Sequence, residues 1–285
     1  MKNSISFIKK FEIVTRISGY QHNILYGLLP LLYFKNNFMN ILILYFIFLF
    51  WYMFTFMIND YEDVDTDKIV KKNSIFLGII SRDNLLILSF VCLTISYIIS
   101  LYFYPIKAFL LLLFMTFLSY SYSVEPLRLK KKSILGFPAV VFAAGPAGLI
   151  YTYIAYGFID YLWLFVMVTI SFLHIGQTQI WGGLIDFEAD KKVGMFKRLE
   201  QIIGRKKSFR LLIWVELVLF LILLSVFTYY NKMTSFVFSV IAFSIYFFKK
   251  MKLNPLKNDT KKFMFFSYPI FSFIISVSLL IFCLF

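Results

Sequence analysis

Charge is scarce in this chain: Asp, Glu, Lys and Arg make up 15% of its 285 residues, against 60% hydrophobic side chains. That is too little polar surface for a soluble globule, even one with a large core, so the membrane class is the default. Cysteine is nearly absent. Cys92 and Cys283 each lie inside an apolar run, with no CxxC spacing and no histidine nearby, which argues against a disulfide framework or a zinc site. Acids are few as well, 15 against 29 Lys and Arg, and the resulting charge of +14 could suggest nucleic acid. The basic residues fall in short clusters between apolar runs instead of on one polar face, so nucleic-acid binding is not expected and membrane orientation explains them. No small-residue cleavage site follows the first apolar stretch, so no removable signal peptide is expected. No linker or shift in composition marks a second domain, and the chain is read as a single unit over 1–285.

What is present is apolar length and aromatic side chains. Phe (37) and Tyr (19) suit lipid-facing surfaces and headgroup-level anchoring. Runs long enough to cross about 30 Å of hydrocarbon lie near 17–34, 39–58, 84–103, 107–123, 137–156, 161–181, 211–230, 234–248 and 267–285. The reading is therefore an all-α, polytopic membrane bundle of nine spans. Positive charge is retained on the cytoplasmic side. With nine spans, 26 of the 29 Lys and Arg fall on the N-terminal side, leaving only Lys35, Lys107 and Lys232 on the other. The N-terminus is expected in the cytoplasm and the C-terminus outside. The long loops 59–83, 124–136, 182–210 and 249–266 then face the cytoplasm, the side with room for chemistry.

The few acids are unevenly spread. Asp60, Glu62, Asp63, Asp65 and Asp67 crowd one stretch and Asp186, Glu188 and Asp190 another, each where a span ends on the cytoplasmic side. If the second helix continues, Asp60, Asp63 and Asp67 stand at i, i+3 and i+7, on one face; Asp186 and Asp190 are i and i+4. Like charges so spaced repel, and an ionised group at mid-helix in a bilayer costs about 2.5 to 3.5 kcal/mol. A hard cation compensates. Mg²⁺ takes one or two carboxylates and completes its shell with water and phosphate oxygens. Solvated loop acids are the plainer alternative, but they need no helical register.

Three segments carry a resemblance to a known family. Asn59-Asp60-Tyr61-Glu62-Asp63-Val64-Asp65-Thr66-Asp67 resembles the NDxxDxxxD signature of the UbiA family of intramembrane prenyltransferases. Asp186-Phe187-Glu188-Ala189-Asp190, followed by Lys191-Lys192-Val193-Gly194, is similar to that family's second motif, DxxxD with a basic pair and Gly. Between them, Tyr120-Ser121-Tyr122-Ser123-Val124-Glu125-Pro126-Leu127-Arg128-Leu129-Lys130 resembles its YSxxPxRLK segment.

The resemblance implies a helical bundle around a central cavity open to the cytoplasm and laterally to lipid. It implies Mg²⁺-dependent transfer of a polyprenyl group from a prenyl diphosphate donor to a hydrophobic acceptor, aromatic or lipid, in the cell membrane, with no obligatory protein partner. On that reading Asp60, Asp63, Asp67, Asp186 and Asp190 form the metal shell and Asn59 is a polar partner. Arg128, Lys130, Lys191 and Lys192 face the diphosphate, and Tyr120 and Tyr122 contact the donor or shield the cation. A terpene cyclase on the same scaffold is an alternative, and a cation transporter using the same aspartates is a more distant one.

Two departures stand out. Where relatives carry an Arg-Pro-rich stretch this chain reads Lys68 to Gly78, with Lys71 and Lys72 in place of the lost charge. Upstream of Asp186, where relatives often carry a further acid, it has Gln179 and Gly183. His174, Gln177 and Gln179 in the sixth span either line the cavity or bond between helices. The small-residue run Ala143 to Gly148 either permits close helix approach or makes room for an isoprenoid tail.

Overall fold

The computed structural model describes residues 6–64, 74–75, 77–192, 199–252 and 260–284. For 133–134, 185–186, 188–192, 199, 248–252 and 260–268 it describes the backbone alone. The described residues form twelve α-helices and no strand. They are α1 (Phe7–Thr15), α2 (Gln21–Tyr33), α3 (Phe38–Glu62), α4 (Arg82–Phe103), α5 (Ile106–Ser123), α6 (Ser133–Ala144), α7 (Pro146–Tyr156), α8 (Tyr161–Lys192), α9 (Leu199–Ile203), α10 (Arg205–Tyr229), α11 (Met233–Lys252) and α12 (Thr260–Leu284).

The helices start and stop where their residues provide caps. Asn37 accepts from the Asn40 N–H at 2.9 Å to open α3, and Ser81 accepts from the Asn84 N–H at 3.3 Å to open α4. Gly157, at φ 67°, closes α7 in the left-handed conformation.

Each of the nine apolar segments of the sequence is helical over most of its length. Five helices are long and apolar enough to cross a membrane: α3, α4, α5, α8 over Tyr161–Leu184, and α10. The pair α6 and α7, bent by 44° at a short break, makes six if it crosses as one span. The remaining three segments are shorter among the described residues. At 13 residues, α2 spans about 20 Å, because the chain turns at Arg16 and winds a 3₁₀ turn over Ile17–Tyr20 before the helix begins. The apolar parts of α11 and α12 are Met233–Phe247 and Pro269–Leu284. The protein is thus a multi-pass, all-helical membrane bundle, and among the described residues five or six of the nine apolar segments form helices of full spanning length.

Two apolar clusters organise the bundle. One gathers Phe48, Trp51 and Phe54 of α3 with Leu85 and Cys92 of α4 and Leu112 and Met115 of α5. The other gathers Trp163 and Met167 of α8, Leu219 and Phe227 of α10, Phe243 of α11 and Phe271 and Phe282 of α12. Helices α2 and α7 pack against each other and contribute to both, joining the halves. The spans α3 and α8 are 50% buried, whereas α4, α5 and α10 are 33% buried. So α3 and α8 lie inside, while Ile98, Leu110, Phe117 and Leu221 on the outer three present an apolar surface suited to lipid.

The break in the fifth segment is held open by its neighbours. The Ala144 carbonyl, freed at the end of α6, accepts from the Tyr52 hydroxyl at 2.8 Å. Gly148 lets α7 approach α2 closely: a Cβ there would stand 3.4 Å from the Gly27 Cα. The small-residue run therefore serves helix packing.

Candidate active site

At one end of the bundle, where α3, α5 and α8 finish and α6 begins, a cavity of about 330 Å³ opens between them. Its α3 wall carries Asn59 and Asp63. The helix closes at Glu62 and Asp63 is its C-cap, with its N–H donating to the Asn59 carbonyl at 3.0 Å. The register expected across Asp60, Asp63 and Asp67 is therefore described only as far as Asp63. Asp67 lies outside the described residues.

Cations converge on this wall from the segment after α5. Lys130, on a 3₁₀ turn over Leu129–Lys131, has a side chain 2% exposed and donates to Asp63 Oδ1 at 2.5 Å and Asn59 Oδ1 at 3.4 Å. Arg128 Nη2 reaches Asp63 Oδ1 at 3.3 Å from a left-handed backbone, φ 31°. Ser123, the last residue of α5, donates its hydroxyl to Asn59 Oδ1 at 3.0 Å. Gly136 makes this possible, because a Cβ there would collide with the Leu129 carbonyl and push the Lys130 turn away from α6. Outside the cavity, Glu125 accepts from Lys131 at 2.9 Å and Arg128 at 3.4 Å. The Lys131 hydrogen bond holds the Glu125 carboxyl below its usual range.

Asp60 is buried and pairs with Arg16 Nη2 at 2.6 Å. Arg16 lines the cavity from the turn between α1 and α2, where its left-handed backbone (φ 51°) ends α1. Asp63 thus lines the cavity directly, while Asp60 adjoins it through Arg16.

The facing wall belongs to α8 and α9. Gln179, Gly182 and Gly183 line it, and Glu200 of α9 joins them with 4% of its surface exposed. Gln201 donates to the Phe187 carbonyl at 2.8 Å and pins α9 to α8. Positions 179, 183, 186 and 190 fall at i, i+4, i+7 and i+11 of α8 and share a face. The backbone of Asp186, Asp190, Lys191 and Lys192 is placed on this helix; their side chains lie outside the described set, as do Lys71 and Lys72 altogether.

Of the two expected tyrosines, Tyr122 lines the cavity and Tyr120 is 41% exposed and not on its wall. Two residues along a helix turn the side chain to the opposite face. Of the polar residues in the sixth span, Gln179 lines the cavity. His174 is buried with Nδ1 2.7 Å from the Tyr26 hydroxyl and Nε2 2.9 Å from the Ser272 hydroxyl, and Gln177 donates to Glu216 at 3.2 Å, so both serve contacts between helices. Sequence reasoning missed Arg16, Gly136 and Glu200 as cavity residues. Arg16 and Glu200 sit among basic residues that read as orientation signals, and no local pattern marks Gly136.

Among the described residues no three His, Cys, Asp or Glu side chains cluster tightly enough to hold a metal ion on their own. The oxygens stand on two walls instead, Asn59 and Asp63 on one and Glu200 on the other.

The fold is that of a multi-pass helical membrane protein with a charge-lined cavity at one end of the bundle. The chain belongs to the UbiA prenyltransferase family, whose profile matches residues 25–274, and by that membership it is a prenyltransferase. No curated protein sequence matches it. Among solved structures it is similar to a UbiA homologue from Archaeoglobus fulgidus bound to GPP and Mg²⁺, with 18% identity, a TM-score of 0.71, and coverage of 95% of this chain and 98% of that one. The complex of a UbiA homologue from the same organism with DMAPP and Mg²⁺ gives 17% identity, a TM-score of 0.70, and coverage of 95% and 97%. A structure of digeranylgeranylglyceryl phosphate synthase gives 21% identity, a TM-score of 0.65 and 97% coverage of both chains. These likenesses are of fold.

Proposed function

We propose that the protein transfers a polyprenyl group from a prenyl diphosphate to a hydrophobic acceptor, aromatic or lipid, inside the membrane. It does so with Mg²⁺, as one domain over 1–285, with its active site facing the cytoplasm. The observation that carries this reading is the cavity lined by Asn59, Asp63 and Lys130, with Arg128 paired to Asp63 beside it, at the boundary of an apolar bundle. Such a wall suits a ligand with an anionic head and an apolar tail. The homologues whose structures hold GPP or DMAPP with Mg²⁺ support the same ligand class.

The oxygen donors present fit a hard divalent ion: Asn59 and Asp63 would hold it with Asp60 nearby, and the motif aspartates Asp67, Asp186 and Asp190 would complete the shell. Bound there, Mg²⁺ supplies Lewis-acid stabilisation of charge on the leaving diphosphate. Lys130, Arg128 and Arg16, with Lys191 and Lys192 at the end of α8 and with Lys71 and Lys72, bind the diphosphate oxygens. They stabilise the negative charge that grows on the bridging oxygen as the allylic C–O bond breaks and its electron pair leaves with diphosphate. Phe56, Phe137 and Tyr122 on the cavity wall exclude water and shield the carbocation with their π electrons. A nucleophilic carbon or oxygen of the acceptor then bonds to that carbon, and the acceptor releases a proton.

The test is transfer of labelled geranylgeranyl diphosphate to a panel of aromatic and lipid acceptors by the purified protein with Mg²⁺. Asp63→Ala should reduce transfer at least about a hundredfold. Undiminished transfer by that variant contradicts the reading, and labelled hydrocarbon formed without acceptor would make the protein a cyclase.

A further inference from the structure

Glu200 is a buried acid in a basic segment, and its carboxylate is packed over Gly183. A Cβ built on Gly183 would collide with the carboxylate carbon and both oxygens of Glu200. Around Gly182, on the same wall, a Cβ meets nothing within 4 Å, so the crowding is specific to one position. Gly183 stands three residues before Asp186 and seven before Asp190 on α8, on the face that borders the cavity. The Glu200 carboxylate therefore occupies the space that a short acidic side chain at position 183 would fill, and it borders the same cavity as Asn59 and Asp63.

Its support is built for position. Helix α9 is a five-residue turn, held to α8 by the Gln201 hydrogen bond to the Phe187 carbonyl and closed by Gly204, whose N–H donates to the Glu200 carbonyl at 2.9 Å. Glycine at 183 is what admits the carboxylate. A side chain there would compete for its place, and an acid there would make it redundant.

We infer that Glu200 is the second-wall oxygen donor of the cation site, delivered from α9 across Gly183 in place of an acid on α8. The inference rests on the Mg²⁺–diphosphate reading above. It assigns a role to a residue outside all three motif segments and accounts for the glycine at 183. Glu200 would then meet the cation from the α8 side of the cavity, and Asn59 and Asp63 from the α3 side.

The experiment measures binding of Mg²⁺, in the presence of inorganic pyrophosphate, to the purified full chain by calorimetry, beside its thermal unfolding. Glu200→Gln should weaken Mg²⁺ about tenfold with an unchanged melting temperature. Gly183→Ala, which evicts the carboxylate without altering it, should do the same. The double variant Gly183→Asp/Glu200→Ala, which returns an acid to α8, should bind within about threefold of the native chain. Native affinity in folded Glu200→Gln or Gly183→Ala overturns the inference, and so does a folded double variant as weak as Glu200→Ala. Should Glu200→Gln not fold, Gly183→Ala and the double variant decide by the same readout. Asp63→Ala separates the two levels. If it weakens Mg²⁺ while the Glu200 and Gly183 variants do not, only this inference falls; if it too binds normally, the reading of the whole site falls.

Discussion

Lys130 shows how one residue is reassigned by its surroundings. In sequence it is one of four basic residues in a loop, any of which could be an orientation signal. In the fold its side chain is 2% exposed and points its ammonium at Asp63 and Asn59, while Lys131 beside it is 47% exposed and pairs with Glu125. A buried ammonium is costly unless paired, so Lys130 has a specific site and Lys131 a solvated one. Lys130→Met should lower kcat/KM for the donor about a hundredfold, whereas Lys131→Met should leave it within about twofold, both by steady-state kinetics. Arg16→Gln likewise removes a partner of buried Asp60 and should cost about 1–2 kcal/mol of stability, discounted because the guanidinium is a third exposed. Denaturant unfolding in detergent reads that loss.

Among the elements, the broken fifth segment is informative. Its residues 137–156 form a continuous apolar run in sequence, which periodicity reads as one span. The structure breaks it at Gly145 and bends it by 44°, where Pro146 has no N–H to continue the helix, and Tyr52 from α3 satisfies the carbonyl freed at Ala144. Tyr52→Phe removes that donor and should destabilise the protein by about 1 kcal/mol, measured by unfolding in detergent. Gly148→Leu should cost more, about 2–3 kcal/mol, by forcing α7 away from α2 and so separating the helices that join the two halves. The Lys130 turn depends on an element boundary in the same way: Gly136→Ala meets backbone, which cannot swing aside as a side chain can. It should cut activity about tenfold through displaced Lys130.

For the whole molecule, the segregation of basic residues and the position of the cavity point the same way. Asp83, at the start of α4, and Arg128 to Lys132 belong to long loops expected in the cytoplasm, and Ile159, between α7 and α8, to a short external one. In intact cells, a membrane-impermeant thiol reagent should label Ile159→Cys and spare Asp83→Cys, with native Cys92 and Cys283 buried and unreactive. The opposite labelling would place the cavity outside the cell. Removing Mg²⁺ with EDTA should abolish transfer. It should also erase the rise in melting temperature that pyrophosphate with Mg²⁺ produces, since a ligand bound only by the folded state stabilises by mass action.

The membrane class, the helical content, the place of the apolar segments and the two acidic motifs follow from the chain by itself, because hydropathy, cap residues and charge spacing are local properties. Asn59 and Asp63, which line the cavity, were legible as candidates for that reason. The tertiary structure decided the rest. Ser123 and Asn59 are 64 positions apart, and Lys130 and Asp63 are 67 apart, so no local pattern reports their meeting. It chose Tyr122 over Tyr120 for the cavity, turned His174 and Gln177 to contacts between helices, brought Arg16 to Asp60, and laid Glu200 over Gly183. Each of those outcomes depends on which helix faces lie against each other, and the physical reason is that a buried charge takes whatever partner the packing brings within reach.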